Sequence, residues 1–136
     1  MKGALITEKI SMFGKYAVTL SGTGYIGVSK KIRSESVRER LKETGKEICA
    51  EHMGLIIRTA AENADMDEFR KDITRLKENW DIIQKRFRME KSPTLLYRES
   101  DIIVKALRDY VNKGTEILIT DNRKIYERIC KLNESE

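Results

Sequence analysis

The sequence predicts an α+β protein: a small mixed sheet packed by one long amphipathic helix, then a smaller strand–helix–strand–helix unit. Three observations carry this. Residues 3 to 32 are rich in β-branched and aromatic residues and are broken by glycine-bearing turns. Residues 65 to 89 repeat apolar side chains at steps of four and three. The lone proline, Pro93, separates that helix from a tail in which short apolar runs alternate with amphipathic stretches.

Taken in order, GALITEKI at residues 3 to 10 alternates loosely and reads as a strand. In GKYAVTLSGTGYIGVSKKI, Gly22, Thr23 and Gly24 break two strand-like runs and suggest a hairpin-like reversal. SESVRERLKETGKEICA turns helical, with Ser34 or Ser36 as cap and Val37 and Leu41 on one face; Gly45 is expected to interrupt it. The strand GLIIRT follows.

Next come Met66, Phe69, Ile73, Leu76, Trp80, Ile83 and Phe87, one apolar stripe along a helix roughly 35 Å long. Its other faces carry Arg70, Lys71, Arg75, Lys77, Lys85, Arg86 and Arg88. After Pro93, TLLY reads as a short strand, Ser100 or Asp101 caps a helix closed by Gly114, EILITD reads as a buried strand, and RKIYERICKL as a final helix.

The chain has 136 residues, with 27 Lys and Arg against 22 Asp and Glu, for a net charge of +5. That balance favours nucleic acid or another anionic partner. No run of about 18 apolar residues is present, so no membrane-spanning helix is expected, and MKGALITEK is too short and polar for a secretory signal. Cys49 and Cys130 stand far apart without a C-x-x-C pair, and His52 is the single histidine. Reduced thiols of a cytoplasmic protein are the expectation, with no cofactor or metal held by the chain.

Catalytic patterns are missing from the sequence. It has neither the phosphate loop G-x-x-x-x-G-K-[ST] nor a G-x-S-x-G elbow, and GTGYIG does not lead into a helix as a dinucleotide fingerprint does. Donors stand out instead. GLIIRTAAE ends an apolar strand on Arg58 and Thr59. Either Arg58 caps the strand in water, or both donors serve an anion pocket, since a guanidinium fork and a hydroxyl together match phosphate oxygens.

The segments KGALITEKISMFGKYAV, GVSKKI, MGLIIRTAAE and RESDIIVKALRDY, in this order and spacing, resemble the bacterial ribonuclease E/G endoribonucleases. The resemblance extends over essentially the whole chain. It implies that residues 1 to 10 are the last strand of an OB-fold RNA-binding domain, residues 11 to 92 a 5′-sensor domain, and residues 93 to 136 a partial ribonuclease-H-like subdomain of α/β type. It also implies roles in RNA processing and mRNA decay. Arg58, Thr59, the backbone amide of Gly14 and the side chain of Val18 match positions that receive the 5′-monophosphate end of single-stranded RNA; Lys2 matches an RNA contact. Lys30 and Lys31 are candidate RNA-backbone contacts.

The loop SGTGYI departs from the longer loop of that family, and the aspartates that hold Mg2+ in its full-length enzymes are not recognisable here. The chain is therefore expected to be a middle piece of a nuclease, docking with the remaining domains and recognising RNA ends without cutting. The alternative is a protein-interaction module that pairs into a homo-oligomer through the helix at 66 to 87.

Overall fold

The computed structural model describes residues 3, 6–49, 53–99, 101–112 and 114–133, and it divides into two compact units, 1–99 and 100–136. Unit one contains β1 (Ser11–Phe13), β2 (Ala17–Ser21), β3 (Ile26–Val28), α1 (Glu35–Ile48), β4 (Met53–Ile57) and α2 (Met66–Met89). The four strands form one sheet in the order β1-β2-β4-β3. β1 and β2 make an antiparallel hairpin, β4 is antiparallel to β2, and β3 is parallel to β4. The small mixed α+β arrangement is the one the sequence predicts.

The reversal expected at Gly22 to Gly24 is not a hairpin. Gly22 has a φ of 74°, which favours glycine, yet the loop joins β2 to a strand that is not bonded to it. β4 lies between them. The cause is the α1 crossover, which returns the chain parallel to β3 and so places β4 in the middle of the sheet. Residues 6 to 10, also expected in a strand, form none, and pairing begins at Ser11. There the ladder continues only through Ile10, whose carbonyl accepts the Ser21 amide.

Alternation along the strands divides the sheet into two faces. Met12, Ala17, Thr19, Leu55 and Ile57 are buried, and Leu41 of α1 joins Phe69, Ile73, Leu76 and Ile83 of α2 in the core with them. Each fully buried large aliphatic or aromatic side chain of this kind contributes about 1.5–3 kcal/mol. Phe13, Val18 and Ile56 lie opposite one another on the other face, where Phe13 and Ile56 are exposed.

α1 runs through Gly45 without interruption. A side chain there would bring a Cβ within 3.2 Å of Leu55 Cδ2, so the glycine admits a close helix–sheet approach. Ser34 holds the N-cap position, but its hydroxyl bonds the Ser36 hydroxyl rather than a backbone amide of the first turn. α2 starts where the sequence predicts, at an Asp65 N-cap whose side chain accepts the Asp67 amide. Phe69, Ile73, Leu76 and Ile83 of the stripe are buried, Trp80 is partly buried, and Phe87 is 75% exposed. TLLY is not a strand; the carbonyls of Leu95 and Leu96 instead accept Arg86, folding this segment back along α2.

Unit two holds α3 (Ile102–Tyr110) and α4 (Arg123–Asn133). Asp101 Oδ1 caps α3 through the amides of Ile103 and Val104, and Asp101 also pairs with Arg128 of α4. The Val104 amide, with Arg128 and the Ile103 amide, holds the Asp101 carboxyl below its usual range. Ser100 lies outside the described residues. α3 stops at Tyr110, so Gly114 does not close it. Among the described residues of this unit there is no strand: EILITD is largely exposed and has no strand partner. Apolar content alone does not make a strand, which also needs a neighbour for its backbone groups.

Candidate nucleic-acid interface

The site grows from the end of β4. The central strand is fixed on both sides, with Ile57 opposite Ala17 and Val28. Past Ile57, the Arg58 amide still donates to the Tyr16 carbonyl at 2.8 Å, and Thr59 opens a short 3-10 turn, Thr59–Ala61. The two donors therefore leave the sheet from an interior strand, paired on both sides.

Arg58 does not extend into water. Its Nη1 donates to the carbonyl of Gly14 at 2.9 Å and to that of Lys15 at 3.3 Å. This brings together residues 44 positions apart and sets the guanidinium against the β1–β2 turn. From the other side the turn is held by Asp72 of α2, which is 7% exposed. Asp72 Oδ2 accepts the Tyr16 amide at 2.8 Å, and Oδ1 pairs with Arg75 at 2.9 Å. A Cβ at Gly14 would come within 2.8 Å of Asp72 Cγ, so only glycine fits there. The Gly14 amide donates to the Ala17 carbonyl at 2.8 Å, and an anion contacting it would share it with that carbonyl.

Tyr16 completes the clamp. Its ring packs edge-on to Phe69, and its hydroxyl donates to Glu68 at 2.7 Å. Burial and the Glu68 carboxylate push the phenol up to about 12. Lys15 Nζ lies 5.5 Å from the centroid of the same ring.

Thr59 turns toward another loop. Its Oγ1 is 2.9 Å from Ser29 Oγ, which also accepts the Lys31 amide at 3.3 Å. Lys30 and Lys31 are exposed on this loop, while Arg38 of α1 braces it through the carbonyls of Ser29 and Ile32. Val18 stands on the open face between Phe13 and Ile56. The fold thus gathers Gly14, Arg58, Thr59, Lys30 and Lys31 at one end of the sheet, with Val18 on the adjoining face. Lys2 and His52 lie outside the described residues. A shallow groove lined by Asp81, Gln84, Lys85, Arg88 and Met89 begins nine residues beyond Asp72, roughly 13 Å along α2, and is not part of this site.

Residues 11–136 match the family model described as "Ribonuclease E/G family". The chain belongs to the ribonuclease E/G family. It is 37% identical over 130 residues to "Ribonuclease G" of Escherichia coli (strain K12), covering 96% of this chain and 27% of that protein. The "Ribonuclease E/G-like protein" of Pyropia yezoensis is 34% identical over 121 residues, or 89% of this chain and 24% of that one. "Putative ribonuclease E" of Buchnera aphidicola is 33% identical over 127 residues, or 93% and 31%. The chain therefore spans roughly a quarter to a third of the length of these relatives.

Within this ribonuclease E/G segment, the described residues contain no group of three or more His, Cys, Asp or Glu side chains able to hold a metal ion. Nor is any of their helices long and apolar enough to cross a membrane. Three residues of the site escape a reading of the sequence alone: Tyr16, Ser29 and Asp72. Asp72 carried a signal, being a carboxylate inside the apolar stripe between Phe69 and Ile73. Ser29 carried less, a hydroxyl heading the basic pair Lys30 and Lys31.

Proposed function

We propose that this chain is the 5′-end-sensing, RNA-binding segment of a cytoplasmic RNA-processing endoribonuclease, and that Arg58 and Thr59 receive the 5′-monophosphate of single-stranded RNA. The observation that carries this reading is the junction of three separate segments at the end of β4: Arg58 against the Gly14 turn, and Thr59 against the Ser29–Lys31 loop. A guanidinium, a hydroxyl and nearby lysines suit a group bearing close to two negative charges. Val18, on the apolar face next to them, suits the base of the same nucleotide. In this reading residues 11 to 92 act as the sensor, hydrolysis belongs to other parts of the parent nuclease, and residues 93 to 136 dock with those parts.

Pairing through the α2 stripe has little to use, because Phe69, Ile73, Leu76 and Ile83 are buried inside the unit itself. The test is binding of one short RNA carrying a monophosphate, triphosphate or hydroxyl 5′ end. Preference for the monophosphate supports the sensor; equal affinity for all three removes it.

A further inference from the structure

Resting on the sensor reading, the geometry points to Ser29 as a positioning residue that aims the Thr59 hydroxyl at the phosphate. Ser29 follows β3, and its backbone is fixed at both ends. Its amide donates to the Ile57 carbonyl at 2.9 Å, and its own carbonyl accepts the Ile32 amide at 3.1 Å and Arg38 Nη1 at 2.8 Å. On this held backbone the Oγ lies 2.9 Å from Thr59 Oγ1 and 3.3 Å from the Lys31 amide.

Two hydroxyls joined by one hydrogen bond hold two protons, and the bond uses only one of them. The remaining proton is left for an outside acceptor. The Lys31 amide, donating to Ser29 Oγ at 3.3 Å, adds positive polarity at the Ser29 end of the pair. An anion beside Arg58 then settles the direction. Thr59 donates to the anion, Ser29 donates to Thr59, and the Lys31 amide donates to Ser29, each bond polarising the next. A neutral 5′-hydroxyl both donates and accepts, so it imposes no such order. Ser29 thus adds to the contrast between phosphate and hydroxyl ends more than to affinity for RNA as a whole.

The test uses the full 136-residue chain and one single-stranded RNA with either a 5′-monophosphate or a 5′-hydroxyl. Ser29→Ala is expected to lower the phosphate-over-hydroxyl preference roughly three- to tenfold, mainly through the phosphate form. Ser29→Thr, which restores a hydroxyl, is expected to keep the preference within about twofold. On a Thr59→Val background, Ser29→Ala should change the preference no further, since the two act as one unit. Thermal unfolding of each variant checks that the sheet is intact. A Ser29→Ala chain with undiminished preference overturns the inference while leaving the sensor reading in place, as does a Ser29→Thr chain that falls as far as Ser29→Ala. If Ser29→Ala fails to fold, Ser29→Cys, whose thiol is only a weak donor, takes its place on the wild-type and Thr59→Val backgrounds. A lowered preference in the first that is not lowered further in the second supports coupling through Thr59, and an undiminished preference in the first overturns it. A wild-type chain without any preference removes both readings together.

Discussion

Arg58 Nη1 donates to the main-chain carbonyl of Gly14 at 2.9 Å, tying the end of the central strand to the β1–β2 turn. The arginine is thereby oriented before any ligand arrives, and less side-chain entropy is lost on binding. Its position depends on two glycine-linked features: a turn with no side chain at 14, and a buried carboxylate beneath it.

Lysine at this position keeps the charge and loses the planar fork. It also donates from a single nitrogen, so it cannot hold the Gly14 and Lys15 carbonyls and a phosphate in the same manner. Arg58→Lys is expected to weaken binding of 5′-monophosphorylated RNA about tenfold, read by fluorescence anisotropy. Full affinity in the lysine variant would show that charge alone suffices.

Asp72 links the site to the core. Asp72→Ala strands the Tyr16 amide and removes the partner of Arg75, so a loss of about 2–3 kcal/mol is expected in urea unfolding. Gly14→Ala forces a Cβ against Asp72 and should cost about 1–3 kcal/mol. Because the two changes share one contact, the double variant should lose less than the sum. Additive losses would mean that the turn and the carboxylate are independent.

Tyr16 gives the fold an alkaline limit. Its folded-state pKa is raised from 10.0 to about 12, so its contribution is fully present below about pH 10 and is lost as pH rises toward 12. Tyr16→Phe should flatten that part of the stability–pH curve. Since the hydroxyl donates to Glu68, the same change should also cost about 1 kcal/mol at neutral pH. An unchanged alkaline limb would place the titrating group elsewhere.

The buried half of the α2 stripe gives a direct contrast with a helix-pairing module. Phe69 is fully buried in the core of its own unit. Phe69→Ala should destabilise the chain by about 3–5 kcal/mol, with no change of oligomeric state at concentrations where it stays folded. A folded chain whose mass by light scattering halves on this substitution would instead place Phe69 in an interface.

Much of this architecture is legible in the sequence because it rests on local periodicity. The α2 helix and the apolar strand ending on Arg58 both follow from patterns within a few turns of chain. What depends on partners was not legible. EILITD carries the apolar content of a buried strand but no neighbour pairs with it among the described residues. Gly45 looks like a helix breaker until Leu55 is seen across from it. The Gly22 loop suggested a hairpin because nothing local reveals that β4 occupies the place beside β2. Likewise, Arg58 and Thr59 were visible as donors, whereas the Asp72 clamp and the Ser29 hydroxyl became evident only once distant segments were brought together.

The most direct measurement crosses one protein change with one RNA change: wild type and Arg58→Ala, each titrated with the same single-stranded RNA bearing a 5′-monophosphate or a 5′-hydroxyl, at fixed salt. A phosphate receptor predicts that wild type favours the monophosphate by about tenfold or more and that the variant binds both ends alike. An Arg58→Ala chain that keeps the wild-type preference contradicts the account, since the phosphate would then be recognised elsewhere.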